Sequence, residues 1–481
     1  MIAKGGSRAD RVRTSMGVIL AHAATFTTLG AIGAVALWNA PRETLSYYDE
    51  GVYYYQGVLL ARGGIPYADY FVPQPPGILL IGAASHGCGA GLAGVRVFTW
   101  LCGCIVLYQT FWIAKHSAER CGFHRAGLAG LTAAALVVGS NRFVYIWTQG
   151  ATDLPSVCLV LAAFQLLLRK NARAAWVSGL LLGCSTLFRL QPASLAPAFV
   201  AMILIGAAAE LKWRRALSFT VGFAVSFAIF HGLLAALLDR YAEGVFLFQM
   251  QRARVGVSDK ISGFLNFLAE PHVGFSFLAT GCLLASPIRS ARATAWFAVG
   301  ALAVTTFTGN VLYLIYFAPI LPLMMTSAAL VVASATRAAD GSCWPYFFAV
   351  LFTASGTAFS IKSELQEQRR LAPVHQDYIE RLRSTPGGIL LTDDGRVAER
   401  AGKCTVQDYY ATDPNAMYEL SPDRFRGWLA AVLPGADIVA ISDKFLGWLD
   451  ASDAKFLRDS GKPIVFESDS VERRFFALAA Q

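Results

Sequence analysis

The chain has 481 residues, of which 55% are hydrophobic and 15% are charged, and its formal net charge is +9. Soluble domains carry roughly 25% charged residues, so this composition excludes an ordinary soluble protein and indicates a polytopic membrane protein. A basic excess in such a protein belongs mostly to cytoplasmic loops and does not indicate a nucleic-acid partner. The nine cysteines form no Cys-x-x-Cys pair, which argues against a metal or redox site.

The N-terminal part combines a basic segment, an apolar run from Met16 to Trp38, and an acidic loop over residues 39–92. A signal peptide has an apolar core of only roughly 7–15 residues, so the run predicts an uncleaved first span. The acidic loop contains Asp49 and Glu50, followed by a Tyr-rich stretch with helical spacing. Within this loop, Ile78 to His86 is too short to span and is expected to lie at the interface or to re-enter.

Apolar segments then recur along the chain and predict about eleven spans in all. They cover residues 94–114, 126–147, 153–168, 174–188, 193–209, 216–238, 273–288, 293–309, 311–334 and 344–360. Basic residues concentrate in alternate connections between them, so the positive-inside rule predicts a cytoplasmic N-terminus. The acidic loop, the 239–272 loop and the C-terminus are then extracytoplasmic, which places the protein in the cell (inner) membrane with a periplasm-facing site.

Residues 361–481 are richer in charge and contain no apolar span, so we predict a membrane domain over 1–360 and an extracytoplasmic domain over 361–481. Short buried strands are predicted at 388–392, 437–442, 462–467 and 474–478, and helices from Pro422 and over 444–459. This alternation predicts a small α/β domain. Asp393 and Asp394 follow its first strand, where a turn is favoured over a metal site.

Four features of the acidic loop occur in a recognisable order. They are Asp49-Glu50, the helix-spaced stretch Val52 to Ala61, the turn Gly63 to Tyr67, and the pair Pro75-Pro76. This order resembles the polyprenyl-phosphate-dependent glycosyltransferases with the GT-C fold, among them the lipid A aminoarabinose transferases, the protein O-mannosyltransferases and the RgtA/B/C/D-like transferases. The resemblance implies an α-helical polytopic fold, an amphipathic helix after the acidic pair, and inversion at the anomeric carbon. It requires no metal or other cofactor.

The acidic residues are the candidates for proton transfer. The resemblance implies that Asp49 is the base that takes the proton of the acceptor hydroxyl. The alternative is that Asp49 caps a helix starting near Gly51. Glu50 is expected either to orient the acceptor or to stay solvated. Asp153 opens a span on the same predicted side and is a second candidate, with an ordinary helix start before Pro155 as the alternative.

The departing phosphate needs positive charge or hydrogen-bond donors. Related transferases often carry Lys before the Pro pair, where this chain has Gln74, which supplies a hydrogen bond but no charge. Arg142 and Arg189 lie at outward span ends, and Arg252 and Arg254 lie in the second outer loop. Arg189 is the first candidate replacement, and snorkelling to the interface is its alternative.

The remaining candidates are two tyrosines, one further acidic residue and two cysteines. Tyr53 and Tyr313 are candidate substrate contacts, with the aromatic belt at the membrane interface as the alternative. Asp69 completes the acidic residues of the loop and is included as a substrate-binding candidate. Cys88 and Cys404 both fall on the predicted outer side, and a disulfide between them is left open.

The sequence therefore predicts a membrane glycosyltransferase that moves a sugar from a polyprenyl-phosphate donor to an acceptor at the outer face, as part of cell-envelope synthesis. Its partners are that donor, the membrane lipids, and an acceptor that is a lipid, a polysaccharide or a protein. One alternative is a transporter or flippase of lipid-linked sugars, although no inverted repeat and no paired broken helices are evident. Another is a non-catalytic assembly subunit whose C-terminal domain binds a partner.

Overall fold

The structure is a computed structural model, and it describes residues 48–467 with several gaps. The gaps are residues 124, 151, 170, 207–208, 252–255, 287–288, 309–316, 339–344, 347, 350, 352–374, 407, 409–412, 415–421, 443–444, 446–448 and 450. The predicted first span, the predicted strand at 474–478, and the candidates Arg252, Arg254 and Tyr313 lie outside the described residues.

The described residues up to 338 are mostly helical, and each predicted apolar segment between 94 and 334 contains at least one helix. The helices are α1 (Tyr48–Ala61), α2 (Gly77–Gly87), α3 (Gly91–Arg120), α4 (Ala126–Gly139), α5 (Asn141–Thr148), α6 (Asp153–Leu167), α7 (Ala172–Ser185), α8 (Ala196–Gly206), α9 (Ala209–Phe227), α10 (Leu233–Leu237), α11 (Phe248–Gln251), α12 (Val257–Ala269), α13 (Pro271–Leu284), α14 (Arg289–Thr308) and α15 (Leu321–Ala338). A 3-10 turn over Gln191–Leu195 precedes α8, and π-helical turns over Ala228–Gly232 and Glu243–Leu247 flank α10.

Two described helical segments, Gly91–Arg120 and Leu211–Leu237, are long and apolar enough to cross a bilayer. A third is added if α12 and α13, which meet at 99°, are counted as one broken span. These helices support a membrane location, whereas the total of about eleven spans and the orientation stay predictions. The predicted 239–272 loop is itself largely helical, because it contains α11 and α12.

The segment 126–147, predicted as a single span, is divided into two helices. Helix α4 ends at Gly139, and Ser140 adopts an extended backbone conformation with φ −77° and ψ 123° before α5 begins. Gly and Ser both disfavour a helix interior, Gly through backbone entropy and Ser through competing local hydrogen bonds. The break matters for the site, because the chain after α5 returns to the acidic loop at Gly150.

Close helix packing holds the segment that carries Arg189. The ring of Phe199 stacks on Phe219 at 5.4 Å and meets Phe297 edge-to-face at 4.8 Å. A Cβ added to Gly179 in α7 would lie 2.1 Å from the Phe219 carbonyl oxygen in α9, so only glycine allows this approach. Small residues permit such contacts between apolar helices. Helix α7 is thereby fixed, and with it the loop that follows its C-terminal end.

Helix α1 is buried on all sides over residues 50–58, which differs from the amphipathic helix that the resemblance implies. Every residue from 50 to 58 is buried. Helix α2 covers one side, where a Cβ on Gly57 would lie 2.9 Å from the backbone of Gly82. A C-terminal helix described below covers another side. The acidic loop is therefore part of the folded core and not a solvated connection.

The turn after α1 is stabilised by its own side chains. Tyr67 has a positive φ of 67°, an unusual conformation for a residue other than glycine. Its hydroxyl donates to the Gln74 carbonyl oxygen at 2.7 Å, and its ring meets Tyr241 edge-to-face at 4.9 Å. The Asp69 carboxylate accepts from the Ile65 amide at 2.7 Å. These contacts direct the chain from α1 into α2.

The C-terminal part, described over 375–467 with the gaps given above and hereafter called the tail, contains a four-stranded parallel sheet. Its strands and helices are β1 (Ile389–Thr392), α16 (Gly395–Ala401), β2 (Cys404–Thr405), α17 (Pro422–Val432), β3 (Ile438–Ser442), α18 (Ala451–Arg458) and β4 (Ile464–Glu467), and the sheet order is β2-β1-β3-β4. The predicted strands at 388–392, 437–442 and 462–467 and the helix start at Pro422 are confirmed. The short strand β2 was not predicted, and the predicted helix over 444–459 is described only as α18.

Candidate active site

The first two turns of α1 carry three of the predicted site residues. Asp49 and Tyr53 are four residues apart and therefore share one face of the helix, whereas Glu50 projects about 100° away. Asp49 is partly exposed, while Glu50 is completely buried. Because Tyr48 is already helical, Asp49 lies inside the helix and not at the N-cap position that was its alternative interpretation. The two adjacent carboxylates thus have different surroundings.

On the Asp49 face, the structure brings together residues from three parts of the chain. The Arg189 guanidinium forms an ion pair with Asp153 and donates to the Thr152 hydroxyl at 3.3 Å. Asp49 lies near enough to Asp153 and Tyr53 to interact electrostatically with both. The second oxygen of Asp153, Oδ2, is buried and makes no hydrogen bond among the described residues. One buried carboxylate, that of Asp153, and one guanidinium, that of Arg189, therefore lie beside the partly exposed Asp49. We call these residues the Asp49 cluster (Asp49, Tyr53, Asp153 and Arg189).

On the Glu50 face, four charged side chains form a buried network, which we call the anchor cluster (Glu50, Arg96, Asp394 and Arg396). Arg96 in α3 binds Glu50 in a bidentate manner, with Nε to Oε1 at 2.8 Å and Nη2 to Oε2 at 2.7 Å. Arg396 in α16 donates from Nη1 to Glu50 Oε2 at 3.2 Å. The amide of Gly150 donates to Oε1 at 2.6 Å. Both carboxylate oxygens of Glu50 are thus occupied, and the alternative that Glu50 stays solvated is wrong.

The protonation of Glu50 follows from this network. Burial by itself raises the pKa of the carboxyl group. The charges of Arg96 and Arg396, together with hydrogen bonds from Arg96 and the Gly150 amide, outweigh that effect and hold the pKa of Glu50 below its usual value of 4.5. Glu50 is therefore ionised at neutral pH and serves as a fixed counter-charge for two arginines.

Tyr53 remains a neutral phenol within the Asp49 cluster. Burial raises its pKa well above the usual value of 10.0, and the negative charge of Asp49 adds to that effect. Asp413, from the tail, also interacts electrostatically with Tyr53. The tail therefore approaches the Asp49 cluster as well as the anchor cluster, and Tyr53 keeps its proton as a hydrogen-bond donor.

Two other predicted site residues, Asp69 and Gln74, lie outside these two clusters. Asp69 is exposed and binds the amide of its own turn. Gln74 accepts a hydrogen bond from Tyr67 through its backbone carbonyl. Arg142 is the second residue of α5. Cys88 and Cys404 are exposed free cysteines, so the disulfide that the sequence left open is not formed.

Three members of the anchor cluster were not predicted as site residues. Arg96 lies within an apolar segment, and a charged residue in such a segment is itself a signal of a buried partner. Asp394 N-caps α16 through the Arg396 amide at 3.0 Å, in agreement with the predicted turn. Arg396 carries no sequence signal for its role, because its partner Glu50 is 346 residues away. Among the described residues, no group of three metal-ligating side chains occurs.

Comparison with known proteins yields likeness in structure but not in sequence. No protein-family model matches the chain, and no curated protein matches it. The crystal structure of ArnT from Cupriavidus metallidurans in the apo state superposes with a TM-score of 0.58 at 12% identity, covering 83% of this chain and 86% of ArnT. The structure of the same protein bound to undecaprenyl phosphate gives a TM-score of 0.58 at 12% identity, covering 95% of this chain and 90% of that one.

A more distant protein has the same architecture. The Archaeoglobus fulgidus oligosaccharyltransferase, tethered to an acceptor peptide containing the NVT sequon, gives a TM-score of 0.50 at 12% identity. The superposition covers 94% of this chain and 70% of that protein. This chain has the fold shared by these GT-C glycosyltransferases, which confirms at the level of the fold the resemblance that the acidic loop indicates.

Proposed function

We propose that the protein is a membrane glycosyltransferase that moves a sugar from a polyprenyl-phosphate donor to an acceptor hydroxyl at the outer face of the membrane. The observation that carries this proposal is the Asp49 cluster, in which a partly exposed carboxylate lies beside the Asp153–Arg189 ion pair. A structural neighbour with the same fold is known bound to undecaprenyl phosphate, which supports a lipid-phosphate donor here.

The chemistry requires one proton transfer and one displacement. Asp49 accepts the proton of the acceptor hydroxyl while the hydroxyl oxygen attacks the anomeric carbon of the donor sugar. The bond between that carbon and the phosphate oxygen breaks, and its electron pair leaves on the polyprenyl phosphate. Because the attack is a single displacement from the opposite side, the configuration at the anomeric carbon is inverted.

The released phosphate requires a cationic partner, and Arg189 is our candidate. Its guanidinium pairs with Asp153 and has five N–H donors in a planar fork, a geometry that suits contacts with more than one anion. Asp153 then orients Arg189, while Asp49 performs the proton transfer. The two carboxylates of the cluster thereby have separate functions.

Product formation tests the proposal directly. Purified protein in lipid nanodiscs, given a labelled polyprenyl-phosphate sugar and an extract of envelope acceptors, should form a new glycosidic product. Mass spectrometry of envelope glycans from cells with and without the gene should show one missing sugar, which names donor and acceptor class. Movement of labelled donor across sealed vesicles without a new product would instead identify a transporter and contradict the proposal.

Substitution of Arg189 tests the phosphate contact. We expect Arg189→Ala to lose most of its turnover, because both the donor phosphate and the buried Asp153 lose their cation. Arg189→Lys should recover part of it, since Lys keeps the charge but not the planar fork. Arg240→Ala, at an exposed position of the described chain, is the matched control and should keep wild-type turnover. Full turnover in Arg189→Ala would assign the phosphate to another cation, either Arg142 or the pair Arg252 and Arg254.

A further inference from the structure

The tail contacts the acidic loop so closely that a side chain at either of two glycines would displace a neighbouring side chain. A Cβ added to Gly51 in α1 would lie 2.1 Å from Arg396 Nε and 2.4 Å from Asp394 Oδ1. A Cβ added to Gly395 in α16 would lie 2.1 Å from the ring of Tyr55. Real Cβ atoms do not approach other atoms so closely, so each helix has a glycine where the other presses against it. The contact is therefore built into the sequence on both sides.

Polar contacts surround this close approach. The Tyr55 hydroxyl and the Thr405 hydroxyl are hydrogen-bonded at 3.0 Å. At the rim, His86 Nδ1 in α2 lies 3.7 Å from Glu399 Oε1 in α16. Helix α16 and strand β2 of the tail thus contact both helices of the acidic loop.

The anchor cluster lies at the centre of the contact. Arg396 is held against its own helix by Asp394, with Nη2 to Oδ2 at 2.6 Å and Nε to both oxygens at 3.1 Å. The remaining nitrogen, Nη1, reaches Glu50. The cluster contains two carboxylates and two guanidinium groups, so its charges balance. The side chains of Glu50, Arg96 and Arg396 are 0%, 4% and 3% exposed.

Burial makes these charges interdependent. A buried charge is tolerated only when it is paired and hydrogen-bonded, because removal from water is costly. Glu50 shares its Oε2 between Arg96 of the membrane part and Arg396 of the tail. The first turn of α1 is therefore held from both sides. Any shift of the tail changes the balance of charges around Glu50, the residue next to Asp49.

We propose that the tail is part of the catalytic unit and that Arg396 is a positioning residue, which fixes Glu50 and thereby places Asp49 beside Asp153 and Arg189. This inference rests on the proposed function. The electrostatic interaction between Asp413 of the tail and Tyr53 of the Asp49 cluster also supports it, because a second part of the tail lies near the same cluster. Arg396 acts through Glu50 and does not touch substrate.

The test uses the full-length protein in nanodiscs and five variants. Arg396→Gln removes the charge, and Arg396→Lys keeps the charge without the planar fork. Glu50→Gln removes the opposite charge alone, and Glu50→Gln/Arg396→Gln removes both charges together. Arg381→Gln is the matched control, because Arg381 is a tail arginine in an exposed pair with Asp377 at 2.6 Å. Each is compared for hydrogen exchange in residues 48–61, for affinity towards the donor lipid, and for turnover.

In Arg396→Gln, we expect faster hydrogen exchange in residues 48–61, while the amides of α6 and α7 stay as protected as in the wild type. Turnover should fall on the order of 10²-fold, the effect of displacing a catalytic group by about 1 Å, with donor affinity unchanged. Arg396→Lys should be intermediate, and Arg381→Gln should match the wild type. If Arg396→Gln does not fold, Arg396→Lys provides both measurements. The fold-loss of turnover in the double variant should be smaller than the product of the fold-losses in Glu50→Gln and Arg396→Gln. The effects of neighbouring groups in one network are not additive.

Two outcomes overturn the inference. Unchanged exchange in residues 48–61 in both Arg396 variants would show that the tail does not hold α1. Faster exchange with wild-type turnover would show that the contact is structural only. If the wild-type protein forms no glycosidic product, the proposed function fails, but the exchange measurement still tests the contact between tail and acidic loop.

Discussion

We expect Asp49→Asn to lower turnover by about 10²–10⁴-fold, which is the usual contribution of a general base. Asn keeps the size and hydrogen-bonding reach of Asp but does not accept the proton of the acceptor hydroxyl. Asp49 is partly exposed and lies outside the anchor cluster, so the variant should fold and bind donor lipid like the wild type. Product formation is measured with purified protein at excess lipid donor.

The control for this substitution is Asp259→Asn, because Asp259 is an exposed aspartate in the first turn of α12. It should leave turnover unchanged. Near-normal turnover in Asp49→Asn would remove the catalytic role of Asp49 and would leave Asp153 as the remaining carboxylate of the cluster. The same measurement at several pH values reports whether the step still depends on a single titrating group.

Glu50→Ala should destabilise the protein by about 3–5 kcal/mol, the usual loss when one partner of a buried ion pair is removed. Without Glu50, Arg96 and Arg396 remain buried with the same sign of charge and without the carboxylate that they share. We expect a lower midpoint of thermal unfolding, measured by tryptophan fluorescence in detergent, and a poor yield of monodisperse protein. The neighbouring substitution at Asp49 should change neither.

A half-exposed ion pair provides the control for Glu50. Glu119→Ala breaks the ion pair between Glu119 and Lys115, whose side chains are 50% and 45% exposed respectively. Exposed pairs contribute only about 0–1 kcal/mol to stability. The unfolding midpoint of Glu119→Ala should stay near that of the wild type. Equal midpoints for Glu50→Ala and Glu119→Ala would show that the anchor cluster does not stabilise the fold.

The pH dependence of stability gives a further readout on Glu50. Its pKa in the folded protein is lower than the usual 4.5, so its contribution is fully present above the unfolded value. That contribution is lost as the pH falls through the lower, folded value. The unfolding midpoint of the wild type should therefore drop more steeply in acid than that of Glu50→Gln, which has no proton to gain at this position.

Local patterns predicted the elements of the fold well. The apolar segments from 94 to 334 contain helices, and three strands of the tail were predicted within one or two residues of their observed bounds. These features depend on short stretches of neighbouring residues. The division of the segment 126–147 at Ser140 was missed, because its apolar composition is continuous while its small residues permit a break.

The candidate site was predicted in part. The sequence selected Asp49, Tyr53, Asp153 and Arg189, and the structure places all four in one cluster. Glu50 was predicted either to orient the acceptor or to stay solvated, yet it is completely buried and bound to two arginines. Adjacent residues of a helix point in directions about 100° apart, so proximity in sequence does not give them the same surroundings.

The sequence by itself determined the membrane character of the chain, the acidic loop with its family resemblance, and the α/β pattern of the tail. Composition, periodicity and motif order are local properties, so they can be read without coordinates. Only the tertiary structure decided that Arg96 and Arg396 share Glu50 and that Gly51 and Gly395 allow α1 and α16 to touch. Arg396 and Glu50 are 346 residues apart, and their charges become partners only because folding removes both from water.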